Sequence, residues 1–324
     1  MLEIIIDNRD GMMWDISGMV TSLKYTTGRV GKASSAELSF VKTSPYTSRD
    51  FKCAPGNIIR IKIKGQNLFY GYIFSLDEDE KESLSVMAYD QMRYLMGDDT
   101  YVFTNVTATQ IIRKIAEDNN LKLGQLANTQ HVIPKMLEEG KKLMDIICKA
   151  LDSTLMANKG LYVFYDDFGK LTLRNLQDMK LDVVLGEKSL LYSFSGKRSI
   201  DNETYNQIKL VRDNKDTGKR EVYMARDSAT IAKWGTLQYY EKVDDGQNEA
   251  QINQTLNNLI ELKNREQVSL TVTALGDARV RAGNTILLII KELGIQGYYV
   301  VNDCTHQFDG DAHTMSLELV VYGS

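Results

Sequence analysis

At 324 residues and a formal net charge of −4, with both signs interspersed, the chain carries no basic patch of the kind that grips a nucleic-acid backbone. Hydrophobic residues at 43% and charged residues at 25% match a soluble globular protein, and the length suggests roughly two or three domains. No apolar run approaches the ~18 residues of a membrane span, and Met1–Asp7 lacks the basic start and length of a signal peptide.

Residues 1 to about 100 read as strands. Leu2–Ile6 is the first, and Asn8-Arg9-Asp10-Gly11 is a turn. Val20–Lys24 and the set Ala36, Leu38 and Phe40 alternate with a period of two. Gly28-Arg29-Val30-Gly31-Lys32 has two residues between its glycines where a phosphate loop needs four and no Ser or Thr directly after its lysine, so it reads as a flexible basic hairpin tip, a solvated loop more commonly than one docked on a partner. Ala54-Pro55-Gly56-Asn57 opens the clearest strand, Ile58–Lys64, in which Ile59, Ile61 and Ile63 face a core. Gly71-Tyr72-Ile73 lies in the next strand and Ser83–Tyr89 closes the set. Between them, Asp77-Glu78-Asp79-Glu80 reads as a solvated turn, or else as the lining of an anionic channel.

From Thr107 the period changes. Thr107 and Gln110 form a capping box ahead of a stripe of Ile111, Ile112 and Ile115, and a second helix is expected over about 141–157. Leu161–Tyr165 and Leu171–Leu173 make a hairpin around Asp166-Asp167-Phe168-Gly169, whose carboxylates have no acid/base partner nearby in sequence. His131 is the lone histidine of this stretch. Farther on, Tyr205–Val211 and Arg220–Met224 form strands about a polar turn at 213–218, and a helix is expected over 248–264. The sequons at Asn105, Asn202 and Asn253 mean little without secretion.

The closing stretch, 276–322, reads as a three-strand antiparallel meander. Arg281-Ala282-Gly283-Asn284 opens Thr285–Ile290, Gly297-Tyr298-Tyr299-Val300 starts the second strand, and Asp309-Gly310-Asp311 reverses the chain into the alternation Met315, Leu317, Leu319. Gly-Asn, then Gly-Tyr, then a strand ending in Tyr therefore occurs twice, at 56–89 and at 283–322. The fold expected is mainly β, with two related antiparallel barrel or sandwich domains at 1–100 and 192–324 flanking an α+β insert at 101–191.

Chemistry is sparse. His306, Asp309, Asp311 and His313 resemble a metal set, yet the same residues suit a tight reversal between strands, and that reading is adopted. Cys304 and His306 share a strand face, but at about 6–7 Å they lie beyond hydrogen-bond reach, so Cys304 is expected to alternate with Tyr298 and Val300 as a buried apolar residue. Cys53, Cys148 and Cys304, odd in number and far apart, fit a reducing cytoplasm better than a disulfide framework. No catalytic residue, cofactor or metal site is expected.

The signature Gly276-Asp277-Ala278-Arg279-Val280-Arg281-Ala282-Gly283-Asn284, followed by Gly297–Val300, Thr305-His306 and Met315–Leu319, resembles the C-terminal part of phage tail hub proteins. These are the late-control-protein-D and PBSX XkdQ-like proteins of contractile tails and R-type bacteriocins. The resemblance is specific over about residues 265–322 and looser elsewhere. It implies a structural hub made in the bacterial cytoplasm and built into a phage tail or tail-like particle. A homotrimer of two-domain chains would present six similar faces to a hexameric tail tube or tube initiator and a threefold face to a trimeric spike. The insert would meet other baseplate proteins. Competing readings are a tail-tip peptidoglycan-processing enzyme, for which no catalytic set is visible, and a carbohydrate-binding β module hinted at by Tyr239-Tyr240.

Overall fold

Alternating apolar residues build most of this computed structural model, which describes residues 2–41, 51–78, 83–186, 190–214, 218–243 and 245–321. Asp79, Glu80 and the middle of the turn expected at 213–218 lie outside them. The N-terminal module contains β1 (Leu2–Asp7), β2 (Met13–Asp15), β3 (Val20–Gly28), β4 (Ser35–Val41), β5 (Ile58–Ile63), β6 (Gln66–Glu78) and β7 (Ser83–Tyr89). Its core holds Ile4, Ile6, Leu38, Phe40, Ile59 and Ile61, all fully buried. Each such side chain contributes about 1.5–3 kcal/mol by leaving water.

The insert follows, with β8 (Asp98–Thr107), α1 (Ala108–Asp118), β9 (Leu123–Leu126), β10 (Val132–Lys142), α2 (Leu143–Met156), β11 (Tyr162–Asp166) and β12 (Leu171–Asn175). Thr107 and Gln110 form the expected capping box on α1, and Ile111, Ile112 and Ile115 are buried against α2. The chain then enters β13 (Lys180–Gly186) and β14 (Leu191–Ser199).

A second appendage comes next, comprising β15 (Gln207–Asn214), β16 (Lys219–Arg226), α3 (Ser228–Trp234), β17 (Gln238–Lys242) and α4 (Glu249–Lys263). It packs around its own small core of Ile208, Leu210, Ile252, Leu256 and Leu259. Sequence reading missed α3 and β17, since α3 buries no residue and so leaves no apolar stripe. The chain ends with β18 (Gln267–Leu275), β19 (Thr285–Ile290), β20 (Ile295–Asp309) and β21 (Ala312–Val320).

One sheet joins both ends of the chain. Across it the N-terminal strands run β1-β5-β6-β7-β4-β3, and the C-terminal strands run β13-β19-β20-β21-β18-β14. The two orders correspond strand for strand. They differ in that β1 meets β5 antiparallel whereas β13 meets β19 parallel.

Register carries the correspondence to single residues. The β6–β7 ladder slips between Ile73 and Ser75, and the β20–β21 ladder slips between Val301 and Asp303. The β3–β4 ladder slips between Val20 and Ser22, and the β14–β18 ladder between Leu191 and Ser193. A bulge is a local, specific feature, and finding two of them at matching places in both halves marks a structural repeat. The two halves meet where β20, beyond its pairing with β19, runs alongside β3 from Asp303↔Gly28 to Asp309↔Ser22.

Candidate assembly interface

The loop between β18 and β19 bonds to several parts of the chain. Its Gly-Asn turn is built like the one before β5. Gly283 N–H donates to Val301 O at 2.8 Å and Val301 N–H to Asn284 O at 2.8 Å; Gly56 N–H donates to Ile73 O at 2.8 Å and Ile73 N–H to Asn57 O at 2.9 Å. Asn284 Oδ1 accepts from Arg281 N–H at 2.7 Å, and Asn57 Oδ1 from Ala54 N–H at 2.8 Å. Both glycines sit at positive φ, +92° and +89°, which a side chain would strain.

From this turn the loop reaches two neighbouring modules. Ala282 N–H donates to Thr27 Oγ1 at 2.9 Å in the N-terminal module, and Asn284 Nδ2 donates to Met179 O at 3.2 Å in the insert. The Arg281 guanidinium lies 3.8 Å from the centre of the Tyr165 ring and donates to Asp166 O at 3.2 Å. Asp277 and Arg279 close the loop on itself through a charge-assisted pair at 2.6 Å, which holds the Asp277 carboxyl below its usual range.

The histidines sit beneath this loop. His306 Nε2 donates to Val280 O at 2.8 Å, which leaves Nδ1 to accept from His313 Nε2–H at 3.0 Å. In this arrangement His306 carries its proton on Nε2 and His313 donates from Nε2. Burial lowers the pKa of each, that of His313 from 6.5 to about 4. Asp309 and Asp311 lie at the exposed hairpin end, as the reversal reading expects, and among the described residues no cluster has metal-binding geometry. Gly276 makes room for the pair, since a Cβ there would land on the His313 ring.

Two expectations about Cys304 are corrected. Its sulfur lies 3.3 Å from His306 Nε2, because both side chains lean toward the same Val280 carbonyl rather than standing upright on the strand. It shares a core with Val301 and Met315 and not with Tyr298 and Val300, because the bulge after Val301 resets the alternation. Burial pushes the pKa of this thiol far up, as for a cysteine packed in an apolar core.

Other expected features find partners that sequence distance concealed. The basic tip is docked on its own chain: Arg29 N–H donates to Asn302 O at 2.9 Å and Lys32 Nζ meets Asp303 at 3.3 Å. Asp166 is buried and accepts from Gln91 Nε2 at 2.8 Å and from Gly169 N–H at 2.6 Å. Burial, with Asp166 as the next cause, raises the pKa of the neighbouring Asp90, which caps the turn after β7. His131 lies half-buried in the loop before β10, its pKa lowered by that burial. Tyr239 packs into the second appendage while Tyr240 points outward, so the two do not form one aromatic stripe.

Two strand edges stand open among the described residues. β14 ends the sheet, with Ser193, Ser195, Gly196, Lys197 and Arg198 exposed. β6 pairs with β5 as far as Tyr72, and beyond that point has β7 on one side and no described strand on the other. Exposed edges of this kind are templates for pairing with another chain.

The sequence matches the YQBQ-like family over residues 23–320. It is 35% identical over 273 residues, 83% of each chain, to the phage-like element PBSX protein XkdQ of Bacillus subtilis (strain 168). The fold is similar to that of the 43 kDa tail protein of prophage MuSo2 from Shewanella oneidensis, with a TM-score of 0.72, 14% identity, and coverage of 99% of this chain and 98% of that one. It is also similar to the E. coli c3393 protein, described as a type VI secretion component resembling bacteriophage T4 tail proteins gp27 and gp5, with a TM-score of 0.58, 11% identity, and coverage of 100% and 77%. With the repeat, the open edges and these likenesses together, the chain belongs to the YQBQ-like family and has the fold of phage tail proteins.

Proposed function

We propose that this protein is a structural hub in the tail of a contractile phage or tail-like bacteriocin, a homotrimer that joins a hexameric tail tube to a trimeric spike. The observation that carries this reading is the repeat. Two modules with the same strand order and matching bulges lie edge to edge in one sheet, so a single chain already holds one copy of a contact that a ring would use over and over. Three chains would then present six similar modules to the tube and a true threefold face to the spike.

On this reading residues 1–100 and 192–324 are the ring-forming halves. Residues 101–191 and the appendage at 205–264 stand on the ring as binding surfaces for other baseplate proteins. Its work is done by strand edges and sheet faces, without catalysis or cofactor. The chain is made in the bacterial cytoplasm and reaches its place by incorporation into the particle. The likeness to phage tail proteins and to a type VI secretion component supports it.

Electron microscopy of the particle with a label fused to this chain tests the proposal. Label on the particle axis, between tube and spike, is expected. Label confined to fibres or to the outer sheath would overturn it.

A further inference from the structure

We infer that the open edge of β14 in one copy pairs antiparallel with the open edge of β6 in a second copy, placing Ser199 opposite Ser75 and Lys197 opposite Asp77. The inference deepens the ring reading and rests on it.

The register follows from the junction already inside the chain. Through the bulge between Val20 and Ser22 and its counterpart between Leu191 and Ser193, β3 corresponds to β14, so that Thr26 matches Lys197 and Gly28 matches Ser199. Through the bulges after Ile73 and Val301, β6 corresponds to β20, so that Ser75 matches Asp303 and Asp77 matches Thr305. Inside the chain β3 receives β20 with Gly28↔Asp303 and Thr26↔Thr305. Carrying these pairs across gives Ser199↔Ser75 and Lys197↔Asp77.

The side chains agree with this transfer. In the internal junction the hydroxyls of Thr26 and Thr305 meet at 3.3 Å, so the two positions lie on one face and in contact. Their counterparts are a lysine and an aspartate, opposite charges at the same spacing. Neither Lys197 nor Asp77 has an ion-pair partner among the described residues, and both are exposed. Exposure differs between the halves in the sense the pairing requires. Leu23, Tyr25 and Thr27 of β3 are buried where β20 covers them, while the matching Gly196 and Arg198 of β14 are open and Phe194 is partly covered. The contact is head-to-tail, so copies add in one direction until the ring closes, alternating internal and external junctions.

Charge exchange in the full-length chain tests the register, read as assembly mass against concentration. Asp77→Lys and Lys197→Asp should each weaken assembly by roughly tenfold or more per interface, and the two together should restore it, since like charges facing each other across an interface are strongly unfavourable. Asp77→Cys with Lys197→Cys, in a background with Cys53→Ser and Cys148→Ser, should give on oxidation a disulfide-linked ladder ending at three chains, because directly opposed strand residues lie within disulfide reach. A trimer indifferent to both single charge reversals and not cross-linked through 77 and 197 overturns this register and leaves the ring reading standing. A chain that stays monomeric at every concentration overturns both.

Discussion

His306 shows how a polar residue is accommodated in the core without serving as a site. Fully buried, it satisfies one nitrogen on Val280 O and the other on His313, and both rings are held neutral by their surroundings. A depressed histidine pKa means the unfolded chain binds the proton more readily, so the associated stability is complete above pH 6.5 and is lost as pH falls toward about 4. The raised carboxyls Asp90 and Asp166 act with the opposite sign, losing stability as pH rises through their folded values. Urea denaturation of wild type and His313→Gln across pH 8 to 4 separates the two. The wild type should lose stability relative to the variant on acidification through that window, and parallel curves would contradict the assignment. The residues involved were visible in sequence as a histidine–aspartate cluster. Their arrangement was hidden, because the carbonyl that orders them comes from Val280, on a different loop.

At the scale of the element, β20 is the strand shared by three cores. Val300 belongs to the insert core, Val301 and Cys304 to the C-terminal core, and Phe308 to the N-terminal core. Phe308 also stacks on His313 with ring centres 4.1 Å apart. Phe308→Ala should therefore cost about 3–5 kcal/mol, the range for truncating a buried aromatic, in a single cooperative transition. A loss under 1 kcal/mol, or two separate transitions, would show that the modules are not coupled through this strand. Individual strands and the helices α1, α2 and α4 were legible because alternation, helical stripes and the capping box of α1 are local signals. The pairing of β20 with β3 was not legible, since nothing in residues 295–309 says which strand nearly 280 positions away will lie beside them. A fifteen-residue strand facing a six-residue partner was the available clue, because its second half needs another neighbour.

For the whole molecule, the repeat seen in sequence as Gly-Asn, Gly-Tyr and a closing strand is a repeat of strand order, bulge position and turn hydrogen bonding. The Gly-Tyr match itself is displaced. Register aligns Tyr72 with Val300 rather than with Tyr298, since β5 pairs Ile58 with Tyr72 and β19 pairs Thr285 with Val300. The Gly-Asn turn was the true anchor, because its asparagine bridges back to the chain and fixes the bend in both copies. Two halves of one chain that already meet edge to edge, each with a matching edge left open among the described residues, are what the proposed ring requires of a subunit that would imitate sixfold geometry with threefold symmetry. Native mass spectrometry of the purified full-length chain at high concentration tests this most directly. A dominant closed species at three times the 36.7 kDa chain mass is predicted, and a monomer, a dimer or an open-ended series of larger species would contradict it.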